Sequence, residues 1–295
     1  EIPARWRALM AEVGPRWGSD VPGHVKLMIE SFSEVLAAAP KQANVTRDIP
    51  YGSHERNVLD IYAPTVASAA PVVMFLHGGA FVDGQKDRTP EVYSNVCWYF
   101  ARHGIVGVNL EHRLAPEFKY PSGAQDVAAA VAWARANLER FGGDPDRLFL
   151  MGHSAGAAHV GCYAYDKRFH PAGGPGIAGL IVVSGRVRTE NRPDNPNARK
   201  VEAYLGSGVE ALERGSAVTY VSADSVPTMI AIAQYENPLL DMHCAELFYR
   251  LAAAKRRAPR LVWLAGHNHT STIAQLNTAE DRLGSEVREF IRDGW

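Results

Sequence analysis

From about residue 70 onward, the hydrophobic pattern of the chain switches between two periods. Short runs rich in Val, Ile and Leu alternate with longer stretches whose apolar positions recur at helical spacing. Short continuous runs suit strands buried on both faces and the longer stretches suit amphipathic helices, so the alternation predicts an α/β fold with a mostly parallel sheet flanked by helices. Strands are expected at 72–76, 105–110, 148–151, 180–183, 228–233 and 261–264. Thr89-Pro90 reads as the N-cap and first position of one helix, and Ser122-Gly123-Ala124-Gln125 has the capping-box spacing that opens another at 126–140. Gly142-Gly143-Asp144-Pro145 should stop it. Further helices are expected at 157–165 and 242–255. Two antiparallel strands, 44–50 and 57–62, around Tyr51-Gly52-Ser53-His54 extend one edge of the sheet.

Two stretches break the alternation. Residues 1–43 form an expected N-terminal helical cap segment, with a helix at 24–39, ahead of a main domain over 44–295. Within that domain, 186–225 is polar and rich in Asn, Pro, Gly and charge, an expected cap insertion. Such pieces either cover the carboxyl ends of the strands, where open α/β sheets place their sites, or pack as plain surface.

With 295 residues and 46% hydrophobic content, the chain has enough apolar material for a substantial core. Its 31 basic and 32 acidic residues leave a formal charge of -1, which gives no overall field to hold nucleic acid or an anionic membrane. The run Lys255-Arg256-Arg257 reads as a solvated helix end whose cations complement the dipole. Cys97, Cys162 and Cys244 are odd in number and far apart, so neither a disulfide framework nor a CxxC site is suggested and a reducing compartment fits. No apolar run approaches the roughly 18–20 residues of a membrane span, and the N-terminal EIPARWRALM lacks the apolar centre of a signal peptide. A cytoplasmic location is the expectation, compatible with a leader removed ahead of residue 1 because the chain does not begin with Met.

The chemistry concentrates at Gly152-His153-Ser154-Ala155-Gly156, a Gly-x-Ser-x-Gly pentapeptide between a predicted strand and a predicted helix. That context is a nucleophile elbow, in which small neighbours permit a strained serine and the helix N-terminus faces developing negative charge. Alone, the pentapeptide also fits an ordinary turn. A second feature sharpens the reading: His77-Gly78-Gly79-Ala80-Phe81 directly follows the strand 72–76, where bare backbone N–H groups can form an oxyanion hole.

Taken in order, HGGAF, EHRLAPEFKYPSGAQDVAAAVAWARANLERFGGDPDRL, GHSAG, AQYENPLLD and GHNHTS resemble the α/β-hydrolase fold. In particular they resemble carboxylesterases of the hormone-sensitive-lipase type and the related arylformamidases (kynurenine formamidases). The resemblance covers residues 45–295. It implies that Ser154 is the nucleophile, that Gly78, Gly79 or Ala80 together with Ala155 supply oxyanion N–H groups, and that His77 and His153 are structural. It implies no cofactor and no metal, a small ester or amide as the substrate, and pairing into a homodimer through the edge strand or the last helices, although no pattern in the sequence encodes that assembly.

Chain order in this fold is Ser, acid, His. In the lipase-like register the acid position is Asn237, paired with His267; a neutral amide there forfeits the charge that steadies an imidazolium, a loss of about 10⁴ in rate for a serine triad. In the arylformamidase-like register the acid is Glu236 and the base is His269, and this pair is the expectation. Asp241 is expected to cap the helix 242–255, and His267 to support the loop or line the pocket. The expected function is hydrolysis of carboxylic esters of small or aryl substrates through an acyl-enzyme, with aryl-formamide hydrolysis as the alternative. Two other classes remain: a non-catalytic small-molecule-binding protein on a hydrolase fold, and a metal hydrolase using His267-x-His269, for which AGHNHTSTIAQLN offers no third ligand close by. Trp17, Phe32, Phe81 and Tyr204 either wall a pocket or pack cap to core. Arg186 and Arg188 either meet an acidic substrate or, as the expectation runs, are solvated or paired with Glu190 and Asp194.

Overall fold

The structure is a computed structural model, and it describes residues 2–294. Glu1 and Trp295, the outermost residues of the two expected segments, lie outside the described residues. Eight strands form one sheet: β1 (Asn44–Pro50), β2 (Val58–Ala63), β3 (Ala70–Leu76), β4 (Val106–Leu110), β5 (Gly143–His153), β6 (Gly179–Val183), β7 (Thr228–Tyr235) and β8 (Arg260–Asn268). Their spatial order is β1-β2-β4-β3-β5-β6-β7-β8. The pairs β1/β2 and β2/β4 are antiparallel and all the others are parallel.

Helices α1 (Ala4–Val13) and α2 (Val21–Ala37) precede the sheet. They are followed by α3 (Ser94–Arg102), α4 (Ser122–Asn137), α5 (Ala155–Tyr165), α6 (Ala198–Leu205), α7 (Val209–Gly215), α8 (Leu240–Lys255), α9 (Ser271–Ala274) and α10 (Arg282–Asp293). Because strand side chains alternate between faces, Val72, Met74 and Leu76 enter the core beneath α4, α5 and α8, while Val73 and Phe75 enter the core beneath α3 and α10. All five are fully buried, and a side chain of this size contributes about 1.5–3 kcal/mol on leaving water. A third cluster, with Met10, Val13, Trp17, Met28 and Phe32, holds α1 and α2 against the body of the protein. Asp20 caps α2 by accepting from the Gly23 N–H, so this helix starts at Val21 rather than at residue 24.

Several local expectations need correction. Thr89 does not cap a helix. Its Oγ1 accepts from the N–H groups of Glu91 and Val92, closing a separate turn, and α3 begins at Ser94. Ser122 makes no capping box: Pro121 occupies the cap position and the Ser122 hydroxyl turns back to the carbonyl of Phe118. Helix α4 therefore spans Ser122–Asn137, not 126–140. β5 begins at Gly143, well ahead of residue 148, because Gly143 pairs across to Ala70. No helix among the described residues is long and apolar enough to cross a membrane, and Cys97, Cys162 and Cys244 are buried free thiols.

Candidate active site

Strand register assembles the site. β3 and β5 lie side by side with Leu76 opposite Gly152, so the HGGAF loop and the GHSAG turn leave the sheet together. Ser154 is the N-cap of α5, with φ 56° and ψ -122°, a left-handed φ that costs a non-glycine residue about 1–3 kcal/mol. Neighbours hold it there. Its N–H donates to the Val183 carbonyl at 3.1 Å, and its own carbonyl accepts from Arg186 N–H at 2.9 Å and Ala157 N–H at 3.1 Å. The flanking glycines are required by space: a Cβ on Gly152 would sit 2.6 Å from Ala157 Cα, and one on Gly156 would run into the carbonyls of Leu76 and His77.

The HGGAF loop lies directly against this serine. A Cβ on Gly78 would be 2.8 Å from Ser154 Cβ and 3.5 Å from Ser154 Oγ. Positive φ angles at Gly79 (141°), Ala80 (52°) and Phe81 (74°) curl the loop. Among the described residues, the amides of Gly78, Gly79, Ala80 and Ala155 donate no hydrogen bond to the protein, which leaves four backbone donors beside one hydroxyl. The N-terminus of α5 adds its dipole at the same place. His77 secures the loop, with Nδ1 2.7 Å from the Gly78 carbonyl and Nε2 2.8 Å from Glu111 Oε1. Burial works against charge on Glu111, but bonds from His77, Arg56 and the Lys86 N–H outweigh it and hold the carboxyl below its ordinary pKa.

Toward the β8 edge of the sheet, β7 and β8 pair with Tyr235 opposite Asn268, and His269 N–H donates to the Tyr235 carbonyl at 3.0 Å. Glu236 and His269 therefore leave adjacent strands together. Glu236 Oε2 lies 2.9 Å from His269 Nδ1, while Oε1 accepts from Ser184 Oγ at 2.6 Å and from Ala233 N–H at 2.8 Å. With a carboxylate as acceptor, a neutral imidazole takes the tautomer with its N–H at Nδ1 and its lone pair at Nε2. His269, Ser154, Gly78, Gly79 and Ala80 all line one cleft of about 260 Å³.

The other candidates have different duties. Asn237 lines the cleft but accepts from the buried Trp17 Nε1–H at 2.8 Å and makes no bond to His269. Asp241 is exposed in the first turn of α8 and meets only the Met242 N–H; Leu239 is the cap residue, so the expected cap at Asp241 is not formed. His267 bonds Ser271 Oγ at 3.0 Å and Glu280 at 2.8 Å, so it faces away from the partner of His269. No cluster of metal-binding side chains occurs among the described residues. His153 donates from Nε2 to the His269 carbonyl at 3.0 Å, and burial together with the adjacent His269 pushes its pKa well below the ordinary value.

Trp17, Phe32, Phe81 and Tyr204 do not line the cleft. Phe81 and Tyr204 stack 4.7 Å apart in a small core of their own, and the apolar wall comes from Val21, Val25 and Ile29 of α2 with Val92, Tyr93 and Ile273. The expected pairing of the two arginines is also corrected. Arg188 pairs with Glu246 and Glu213, Asp194 pairs with Arg192, and Glu190 takes His243. Arg186 is only 1% exposed, and its Nε and Nη1 have no hydrogen-bond partner among the described residues. Its backbone is drawn inward by the bond to Ser154, and burial lowers its pKa to about 10 against the opposing pull of Glu190. Sequence reasoning missed Ser184, whose only signal was a hydroxyl at the carboxyl end of β6. It also missed Lys26, Arg88 and Lys200, which line the cleft and carry no local signal at all.

The family profile described as BD-FAE matches residues 59–169. Esterase LipC of Mycobacterium tuberculosis (strain ATCC 25618 / H37Rv) is 34% identical over 242 residues, covering 76% of this chain and 59% of that protein. "Probable isoprenylcysteine alpha-carbonyl methylesterase ICMEL1" of Oryza sativa subsp. japonica is 31% identical over 292 residues, covering 90% of this chain and 67% of that protein. For three of the curated relatives it matches, including LipC, the chain spans only 39% to 59% of their length. The solved structure of the Pyrobaculum calidifontis esterase is 21% identical, covers 100% of this chain and 99% of its own, and superposes with a TM-score of 0.75. At that identity the likeness bears on the fold alone.

Proposed function

This chain belongs to the esterases of the α/β-hydrolase fold, and we propose that it is a serine hydrolase cleaving carboxylic esters of small or aryl substrates through an acyl-enzyme. Ser154 Oγ attacks the ester carbonyl as His269 Nε2 takes its proton. Glu236 keeps the second proton on Nδ1 and balances the imidazolium. The oxyanion is received by Ala155 N–H and by amides of Gly78, Gly79 or Ala80. His269 then protonates the leaving alcohol, and water repeats the sequence to free the acid. Residues 1–43 and 186–225 act as covers: Val21, Val25 and Lys26 from the first and Asn197 and Lys200 from the second line the cleft. The buried free thiols support residence in a reducing compartment, the cytoplasm.

The observation that carries this reading is the 2.9 Å contact between His269 and Glu236 in the cleft wall that also holds Ser154. The test is labelling by a fluorophosphonate with turnover of p-nitrophenyl acetate. Wild type should be labelled and active, and Ser154→Ala neither; a folded wild-type protein that stays unlabelled would point to the binding-protein class. A second reading has its own support, because Glu236 with His269 is the arylformamidase-like register. Comparing N-formylkynurenine with phenyl acetate separates amide from ester preference.

A further inference from the structure

We propose that the cleft selects esters whose acyl or alcohol part carries an anionic group, with Lys26, Arg88 and Lys200 as the specificity-determining residues; the proposal rests on the serine-esterase reading above. The chain as a whole is nearly neutral at -1, but its cleft is not. The lining holds these three cations and a single acid, Asp83. Asp83 is shared, lying 3.4 Å from Arg88 and feeling Lys200 only at longer range. Lys26 reaches only Glu30, 3.9 Å away on its own helix, with both side chains well exposed. Glu236 sits behind His269 and is not part of the wall.

A further cation lies behind the site. Arg186, bonded through its backbone to the Ser154 carbonyl at 2.9 Å, buries a guanidinium whose Nε and Nη1 find no acceptor. The nearby acid, Glu190, is taken by His243 at 2.8 Å and is 21% exposed, so solvent weakens it more than it weakens Arg186. Arg186 and Glu236 both lie outside the lining, and their fields oppose each other, so the wall cations set the preference. In a cleft of about 260 Å³, a charge on a substrate held at Ser154 shares the cavity with Lys26, Arg88 and Lys200. Each wall cation is then worth roughly a two- to threefold preference for an anion at low salt.

The test compares 4-acetoxybenzoate with 4-acetoxybenzamide, which share the acetyl group and differ in the charge of the para substituent. The kcat/KM ratio is normalised to the hydroxide rates of the two esters. Wild type should favour the benzoate by about five- to tenfold at low ionic strength. Salt should remove most of the preference, because Lys26 and Lys200 are exposed and screened. Lys26→Glu with Lys200→Glu should bring the ratio below one; should that pair fail to fold, Lys200→Gln should lower the ratio about two- to threefold. A wild-type ratio near one at low salt, or a ratio that the folded charge reversal leaves unchanged, overturns the inference. If neither ester is turned over by folded wild type, it is the serine-esterase reading that fails; turnover of the neutral ester without a charge preference sinks only the selectivity.

Discussion

Replacing Glu236 by Gln removes one charge and keeps the shape, and the structure dictates which way the new amide must turn. Oε1 accepts from the Ala233 backbone N–H at 2.8 Å, a donor that cannot rotate away. An amide nitrogen in that place would set donor against donor, so the oxygen of the substituted side chain is pinned there and its NH₂ faces His269. That NH₂ can only donate to Nδ1. The imidazole proton is thereby forced to Nε2, the wrong atom for taking a proton from Ser154, and the imidazolium loses its counter-charge. In a serine triad the corresponding change costs about 10⁴ in kcat, near 5 kcal/mol of barrier. The Ser184 and Ala233 bonds persist, so the folded state should lose little. The assay is kcat/KM on p-nitrophenyl acetate beside a thermal melt, with Asp241→Asn as the parallel variant. A folded Glu236→Gln enzyme within tenfold of wild type, or an Asp241→Asn enzyme crippled in its place, refutes the reasoning.

Other consequences can be measured on the same protein. Asn237→Ala leaves the Trp17 indole N–H buried without an acceptor, so stability should fall by about 1–3 kcal/mol in urea titration while kcat stays within tenfold. Gly78→Ala places a Cβ 2.8 Å from Ser154 Cβ and must displace the loop; kcat should drop about 10²–10³-fold with KM little changed, read by steady-state kinetics. His112, His153 and His159 are buried with pKa values pushed below normal by burial, that of His159 to about 3. Groups of this kind bind more protons unfolded than folded, so their stabilising effect is complete above the unfolded value of about 6.5 and is lost as pH falls toward the folded values. The melting temperature should therefore begin to fall below about pH 6.5, ahead of carboxylate titration, and His159→Phe should make that slope shallower.

The parallel strands were legible because a run such as Val72–Leu76 is apolar on both faces, which only a doubly covered strand requires. The position of Ser154 was legible through its strand-turn-helix setting; the order of motifs left Asn237 with His267 open beside Glu236 with His269, and only the resemblance to the arylformamidase register favoured the pair that meets. Local punctuation was less dependable. Thr89-Pro90 and Ser122 carry the letters of helix starts, but each hydroxyl found a nearer backbone partner. Arg186 was misread because charge ordinarily means exposure, and long-range bonds from the segment to Ser154, Val218 and Ser216 draw it inward. The wall cations come from three segments far apart in the chain, so no window along the sequence could have grouped them.

The bond from Trp17 to Asn237 ties the beginning of the chain to the residue that follows the carboxylate, and the Tyr235 ring crowds so closely on Gly14 that no Cβ fits between them. The leading segment is thus a tether as well as one wall of the cleft. Trimming it away would both widen access and slacken the anchorage of Glu236, so a shortened enzyme should turn over more slowly even toward esters small enough never to touch the missing helices.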